Sequence, residues 1–270
     1  MSFFVGSNSF SEDKMKLESG RIINVKQEIT AQGSKGNLKK WYAEVNGVPS
    51  YIKTNSNPLN ENEGLECRSE VICGNIAKLM NLSTVQYELD YLFIDGLQYE
   101  VCISADFTEA NYNYTTIAKV CNKATKFFGK EKYDYVISML PDLKNDIDTI
   151  LAFDSIINNH DRHLNNFMLK QEEVIKMCPC FDYGDSLFST IPLNRLQRAF
   201  ELPLNYTQSK PFGSVHRVQM KLIGVYNLEP ISLPEVYRIV NKYLEPARAK
   251  LINKWLSGKL QELNLEKEGH

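Results

Sequence analysis

The chain has 270 residues, 43% hydrophobic and 24% charged, enough apolar content to bury a core in one large domain or in two lobes sharing a cleft. A formal net charge of -2 and a pI near 6.1 argue against the basic face of a nucleic-acid-binding protein, and no apolar run reaches the ~20 residues of a membrane span. The six cysteines form no CxxC pair and Cys178-Pro-Cys180 is too tight for ordinary zinc spacing, so reduced structural thiols in a cytoplasmic chain are expected. MSFFVGSNSFSEDK has neither a basic n-region nor an apolar h-region, so no signal peptide is expected; export by another route stays open.

Residues 1–20 are polar and read as a loose N-terminal segment. From Arg21 to Lys53 the pattern is that of strands, RIINVKQEI and LKKWYAEV, then VPSYIK after Asn46-Gly47, a dipeptide whose tolerance of positive φ marks a hairpin. NSNPLNENEG (55–64) reads as a loop, Glu66 to Met80 has helical periodicity, and YELDYLFIDGLQYEVCIS returns to strands around Asp95-Gly96. From about Tyr114 helices are expected to dominate, apart from an irregular stretch over 171–192. The order predicts an α+β chain: a β-rich lobe over 21–105 with one main helix, then a larger, mostly helical lobe over 106–270, joined near Ser104–Thr108.

The polar residues that can carry chemistry concentrate in FDSIINNHDRHLNNF, residues 153–167. Ile147, Ile150, Leu151, Asp154 and Ile157 share one helix face, and a carboxylate on an apolar stripe is costly unless paired. Asp154 therefore either sits at a frayed helix end or braces the following loop through backbone N–H groups, Arg162 or His163. Asp161 and Asn166 are five residues apart, and after a strand-like FMLK the segment CFDYGDSLF delivers Asp182 about sixteen residues on. An acid, an amide and a second acid on two short strands is the set that metal-assisted phosphoryl transfer requires. One carboxylate orients the attacking hydroxyl or takes its proton, and the hard oxygens of the other two hold Mg²⁺.

Such chemistry also needs a lysine on a strand, held by a helix glutamate. Lys53 ends the third predicted strand, and Glu70 shares a face with the small residues Cys73, Gly74 and Ala77; Glu66, one turn earlier, is the second candidate. Between the first two strands, AQGSKGN (31–37) matches no phosphate-loop motif. With Gly33 and Gly36 flanking Ser34 and Lys35, it is either an anion-facing loop or a flexible hairpin tip.

Together these residues resemble the HipA-like serine/threonine protein kinases, a bacterial branch of the protein-kinase-like fold. The likeness rests on Phe153-Asp154, Asp161-Arg162-His163 and Asn166, on Asp182-Tyr-Gly, on Lys53, on Ser69-Glu70 before IAKLMNL and on Lys210-Pro-Phe, and it spans roughly residues 21–220. The length is that of compact members, of the cell-translocating kinase A type, without the extra N-terminal subdomain with which full-length toxins contact a DNA-binding antitoxin; an antitoxin-type partner is left open. The resemblance implies a bilobal kinase fold, ATP and Mg²⁺ as cofactors, and a protein substrate offering a Ser/Thr hydroxyl, with no direct nucleic-acid or membrane partner. It implies Asp161 as the catalytic aspartate, Asn166 and Asp182 as metal ligands, and Lys53 with Glu70 on the ATP phosphates. Ile103, Ser104, Ala105, Asp106 and Phe107 become the adenine-binding hinge. Gly33, Ser34 and Lys35 become the loop over the phosphates, with Ser34 a site of autophosphorylation.

His160, Arg162 and His163, with Asp154, are read as shaping the catalytic loop rather than reacting. The amphipathic segment 247–263 is read as a docked C-terminal helix with a solvated basic side. Two other function classes fit the same residues: a catalytically silent nucleotide-binding module that docks partners, and a kinase for a lipid or other small molecule.

Overall fold

The computed structural model describes residues 15–29, 39–56, 64–201 and 208–267. Strands β1 (Met15–Leu17), β2 (Ile23–Glu28), β3 (Lys40–Val45), β4 (Val48–Thr54), β5 (Glu88–Ile94) and β6 (Leu97–Ala105) form one antiparallel sheet in the spatial order β1-β5-β6-β4-β3-β2. Two of its connections are the turns expected from sequence: Asn46 and Gly47 have φ of 50° and 79°, Asp95 and Gly96 of 51° and 81°. Both residues left-handed is the condition for a two-residue turn that follows strand twist.

β1 departs from the expectation of a loose start. Met15, Lys16 and Leu17 pair with Ile94, Phe93 and Leu92, and Leu17 is fully buried. Three residues are too few for an alternation to register in the sequence, and one buried leucine is what fixes the strand. Lys53 consequently lies on the fourth strand rather than the third.

Helix α1 (Glu66–Leu79) follows β4 and buries Cys67, Val71, Ile72, Cys73 and Ile76. These side chains join the core of the helical half, whereas the sheet face carrying Leu17, Trp41, Ile52 and Leu92 forms a smaller core of its own.

The second half holds β7 (Asn113–Thr116), α2 (Ile117–Val120), α3 (Gly129–Met139), α4 (Lys144–Ile157), β8 (Met168–Gln171), β9 (Ile175–Met177), α5 (Leu193–Glu201), α6 (His216–Met220), α7 (Leu233–Tyr243) and α8 (Pro246–Glu262). β7, β8 and β9 make a small antiparallel sheet, so this half is less purely helical than its sequence suggests. Helix α4 is buried all round from Ile147 to Ile157, as expected where apolar residues surround a helix. It stops at Asn158, in the left-handed conformation at φ 53° that asparagine tolerates at a helix end. Trp255 of α8 donates its indole N–H to the Ile156 carbonyl at 2.7 Å, satisfying one of the carbonyls a helix end leaves open. Residues 247–263 are thus a docked helix, with Ile252, Trp255 and Leu256 buried. No helix among the described residues is long and apolar enough to cross a membrane, and all six cysteines are free and buried.

Candidate active site

The loop after α4 is organised by an ion pair out of reach of water. Asp154 and Arg162 both have 0% side-chain exposure. Arg162 donates Nε–H to Asp154 Oδ2 at 2.9 Å and Nη2–H to Oδ1 at 3.1 Å, and Asn159 Nδ2 donates to the same Oδ1 at 3.0 Å. The frayed-end alternative for Asp154 is thereby set aside. Burial penalises the Arg162 charge, and the Asp154 carboxylate more than compensates, lifting its pKa well above the usual value. Arg162 also donates Nη1–H to the Phe181 carbonyl, so one guanidinium fixes both the loop after α4 and the residue before Asp182.

On that support Asp161 points outward, its side chain 41% exposed. Its backbone N–H donates to Asn159 Oδ1 at 3.1 Å, and its carboxylate receives the Lys210 ammonium. The two histidines act through backbone: His160 N–H donates to the Asp185 carbonyl at 3.4 Å, and the His163 carbonyl accepts from Asn166 N–H at 2.8 Å. The imidazole Nδ1 of His163 is buried without a hydrogen-bond partner.

Asn166 closes a 3-10 turn (Leu164–Asn166), and Asp182 follows an isolated bridge between Thr84 and Cys180. The short strands expected to carry the amide and second acid are therefore β8 and β9, beside these residues rather than under them. Asp182 has φ 67°, and Leu187 and Phe188 have φ 50° and 58°, a run of left-handed non-glycine residues that holds only where neighbours over-determine it. Those neighbours are present. Ser69 Oγ donates to the Tyr183 and Ser186 carbonyls at 2.8 and 3.0 Å, and Arg248 from α8 donates to the Phe188 and Ile191 carbonyls at 3.2 and 2.7 Å.

The sheet delivers the lysine. Lys53 Nζ lies 2.7 Å from Glu70 Oε1 and 3.1 Å from Asp182 Oδ1, while Glu70 Oε2 accepts the Tyr183 N–H at 2.8 Å. Glu66, the second candidate, is occupied by the Ser56 hydroxyl. Lys53 beside it holds the Asp182 carboxyl well below the usual carboxylate range, against the opposing effect of burial. Burial in turn works against the Lys53 charge, but Asp182 and Glu70 outweigh it and its pKa rises.

The donor set at the far end suits Mg²⁺. Asn166 Nδ2 contacts Asp182 Oδ2, and Asn166 Oδ1 is a buried acceptor with no partner. One ionised carboxylate beside one unsatisfied amide oxygen is a hard-oxygen pair of the kind that binds Mg²⁺ together with phosphates and water. No cluster of three or more His, Cys, Asp or Glu that could cage a metal occurs among the described residues.

The expected hinge divides into two parts. Ile103, Ser104 and Ala105 are ladder residues of β6 opposite Ile52, Tyr51 and Ser50. Asp106 N–H donates to the Pro49 carbonyl at 2.8 Å, and the Phe107 ring lies 6.1 Å from that of Phe181, beside the start of the Asp182 turn. Gly33, Ser34 and Lys35 lie outside the described residues.

Two neighbours escaped the sequence reading. Lys40 pairs across the ladder with Lys53, and burial, with the Lys53 charge adding to it, lowers its pKa; counting back from the Asn46-Gly47 turn would have placed it there. Tyr87 accepts the Asp182 N–H at 3.2 Å, and no sequence signal singles it out. The assembled site has an exposed carboxylate, a cation held between two acids and a pair of hard oxygens, which are the groups that phosphoryl transfer uses.

Among solved structures the chain is similar to the Helicobacter pylori proinflammatory kinase CtkA, with a TM-score of 0.64 and 16% identity over 88% of this chain and 92% of that one. A looser likeness, TM-score 0.46 and 10% identity over 98% of this chain and 75% of the other, is to the Shewanella oneidensis MR-1 toxin–antitoxin structure of HipA, HipB and operator DNA. At such identities the likeness is one of fold, and the fold is the α+β, protein-kinase-like one with a β-sheet lobe and a helical lobe. No family model and no curated protein matches the chain.

Proposed function

We propose that the chain is an ATP- and Mg²⁺-dependent protein kinase of the HipA-like type, transferring the γ-phosphoryl group to serine or threonine hydroxyls. The observation that carries this reading is one unbroken line of contacts, Glu70 to Lys53 to Asp182 to Asn166, with the open carboxylate of Asp161 on the loop that ends in Asn166. Residues from the sheet, from α1 and from two loops of the helical half meet there.

In this reading adenine lies along the Ile103–Phe107 segment, where the β6 ladder ends and the chain leaves the sheet, and Lys53, kept charged and aimed by Glu70, meets the α- and β-phosphates. Asn166 and Asp182 would hold the metal. A metal held by that pair would supply positive charge to offset that of the phosphates. Asp161 orients the acceptor hydroxyl and takes its proton. The protein contributes mainly position and fixed charge, which the locked Asp154–Arg162 support provides.

The test is incubation of the purified chain with [γ-³²P]ATP and Mg²⁺, alone and with dephosphorylated casein as acceptor. Label transfer and a mass gain of one phosphate are expected, with Ser34 the first position to examine by fragmentation. Asp161→Ala should abolish transfer and retain ADP binding. Transfer by that variant at the wild-type rate would overturn the assignment of the loop, and a wild-type chain that binds ADP yet transfers nothing would be a silent docking module.

A further inference from the structure

We infer that Lys210 is a further residue of the transfer site, its ammonium neutralising the phosphoryl group as it passes to the acceptor beside Asp161. The inference rests on the kinase reading above and adds to it a residue 49 positions beyond Asp161, from a separate segment, with Nζ 2.5 Å from Asp161 Oδ1.

An exposed ion pair ordinarily contributes little to stability, and this one is exposed on both sides, 56% for Lys210 and 41% for Asp161. The backbone that presents Lys210 is nevertheless anchored like core. Ser209 N–H donates to the Ser214 carbonyl at 3.1 Å, and Ser209 Oγ to the Gly213 carbonyl at 3.2 Å. Phe212 N–H donates to Gln219 Oε1 at 3.0 Å, and its ring is buried edge-on against Tyr133 at 5.3 Å. A Cβ on Gly213 would come 3.0 Å from the Gln219 backbone nitrogen, so a side chain there would press on the turn. Anchorage of this order fixes the backbone that presents Lys210, and the Asp161 carboxylate seats its ammonium.

The other cations nearby are committed. Arg162 is buried and saturated by Asp154 and Phe181. Lys53 lies between Glu70 and Asp182, and Lys40 lies across the ladder from it on the sheet side. His163, two residues past Asp161, keeps Nδ1 buried and without a partner. Among the described residues, Lys210 is the cation in contact with the Asp161 carboxylate.

The step gives that position its use. The acceptor oxygen forms a bond to Pγ, the bond from Pγ to the bridging oxygen breaks with its electron pair leaving on ADP, and the acceptor proton passes to Asp161. The acceptor hydroxyl is hydrogen-bonded to Asp161 and Pγ is one O–P bond away, so the equatorial phosphoryl oxygens come within reach of an ammonium already seated on that carboxylate. As Asp161 takes the proton it loses its charge, and Lys210 is released to donate to the phosphoryl oxygens. A preorganised donor so placed contributes about 10²–10³-fold in rate.

The experiment compares Lys210→Ala, Lys210→Arg, Asp161→Ala and the double Ala variant in single-turnover transfer from [γ-³²P]ATP, with melting temperature as a control on folding. Binding of ADP·Mg²⁺ is measured with and without aluminium fluoride, a mimic of the phosphoryl group in flight. Lys210→Ala should lower the transfer rate about 10²–10³-fold, leave ADP affinity within about twofold, and lose the extra affinity that aluminium fluoride confers. Lys210→Arg should recover part of the rate, and Lys210→Ala should cost little more once Asp161 is gone, because the two act as a unit. An unchanged rate in Lys210→Ala, or a loss that tracks ADP affinity or melting temperature, overturns the inference. A wild-type chain with neither transfer nor an aluminium fluoride complex overturns the kinase reading and this inference with it.

Discussion

Asp154 with Arg162, and Lys53 with Glu70 and Asp182, are two charged sets on either side of Phe181, and they are built on opposite terms. The first is sealed, with every guanidinium contact spent inside the protein. The second opens to solvent at Asp182, 44% exposed, and leaves the neighbouring Asn166 Oδ1 without a partner. A sealed pair offers a ligand nothing and confers rigidity; its cost in desolvation is offset only by complete hydrogen bonding. An open set with an unsatisfied acceptor keeps capacity for a ligand. The contrast separates residues that hold the loop from residues that can act, although all of them are polar and close in sequence or space.

Removing half of the sealed pair should have the largest effect. Arg162→Met strands the Asp154 carboxylate in the core and should cost ~3–5 kcal/mol in urea unfolding; a loss below ~1 kcal/mol would show that the pair is not sealed in solution. The open set should respond in activity instead. Lys53→Met should lower transfer by roughly 10²–10³-fold, with a smaller loss of stability than Arg162→Met because Asp182 still faces solvent. Equal losses of stability from these two substitutions would erase the distinction.

Acid should reach the sealed side first. His216, buried beside Lys259 and His160, has its pKa pushed down to about 3, chiefly by burial. It stays neutral in the fold while the unfolded chain takes up a proton below ~6.5, so stability falls as pH drops from about 6.5 towards 3, by up to ~1.4 kcal/mol per unit. His216→Leu should flatten that slope between pH 6 and 4.5 in urea titrations, on the order of the same magnitude. Asp182, held ionised by Lys53, contributes stability that is present above the ordinary carboxylate pKa and lost only as pH falls below it. The smallest effect belongs to a pair with neither property. Lys130–Asp134, exposed on α3, should change stability by no more than ~0.5 kcal/mol when Asp134 is replaced by Ala.

Asp161, Asn166 and Asp182 stand out in the sequence because their short spacings suit phosphoryl transfer, and the structure brings Asn166 onto Asp182. The Lys53–Glu70 pair could be read from a strand end and a helix face, since both periodicities are local. What escaped depends on tertiary placement. Lys210 was visible as a motif without a role, because only packing of Phe212 on Tyr133 brings it to Asp161. β1 escaped because three residues carry no periodicity. Asp182 was assigned to a strand because an apolar residue precedes it, whereas its left-handed φ belongs to a turn that Ser69, Glu70 and Arg248 hold from outside. Whether 31–37 covers phosphates was never decidable from a loop matching no motif.

Helix α1 lies between two strands in sequence but shares its core with the helical half, and the sheet keeps a core of its own. The Lys53–Glu70 bond therefore joins the two cores, and α1 is tied to the sheet beside it by Cys67 N–H on Asn55 Oδ1 and by Arg68 on Glu100. With Lys53 also on Asp182 and Glu70 on the Tyr183 N–H, one chain of polar contacts sets sheet, helix and turn relative to one another.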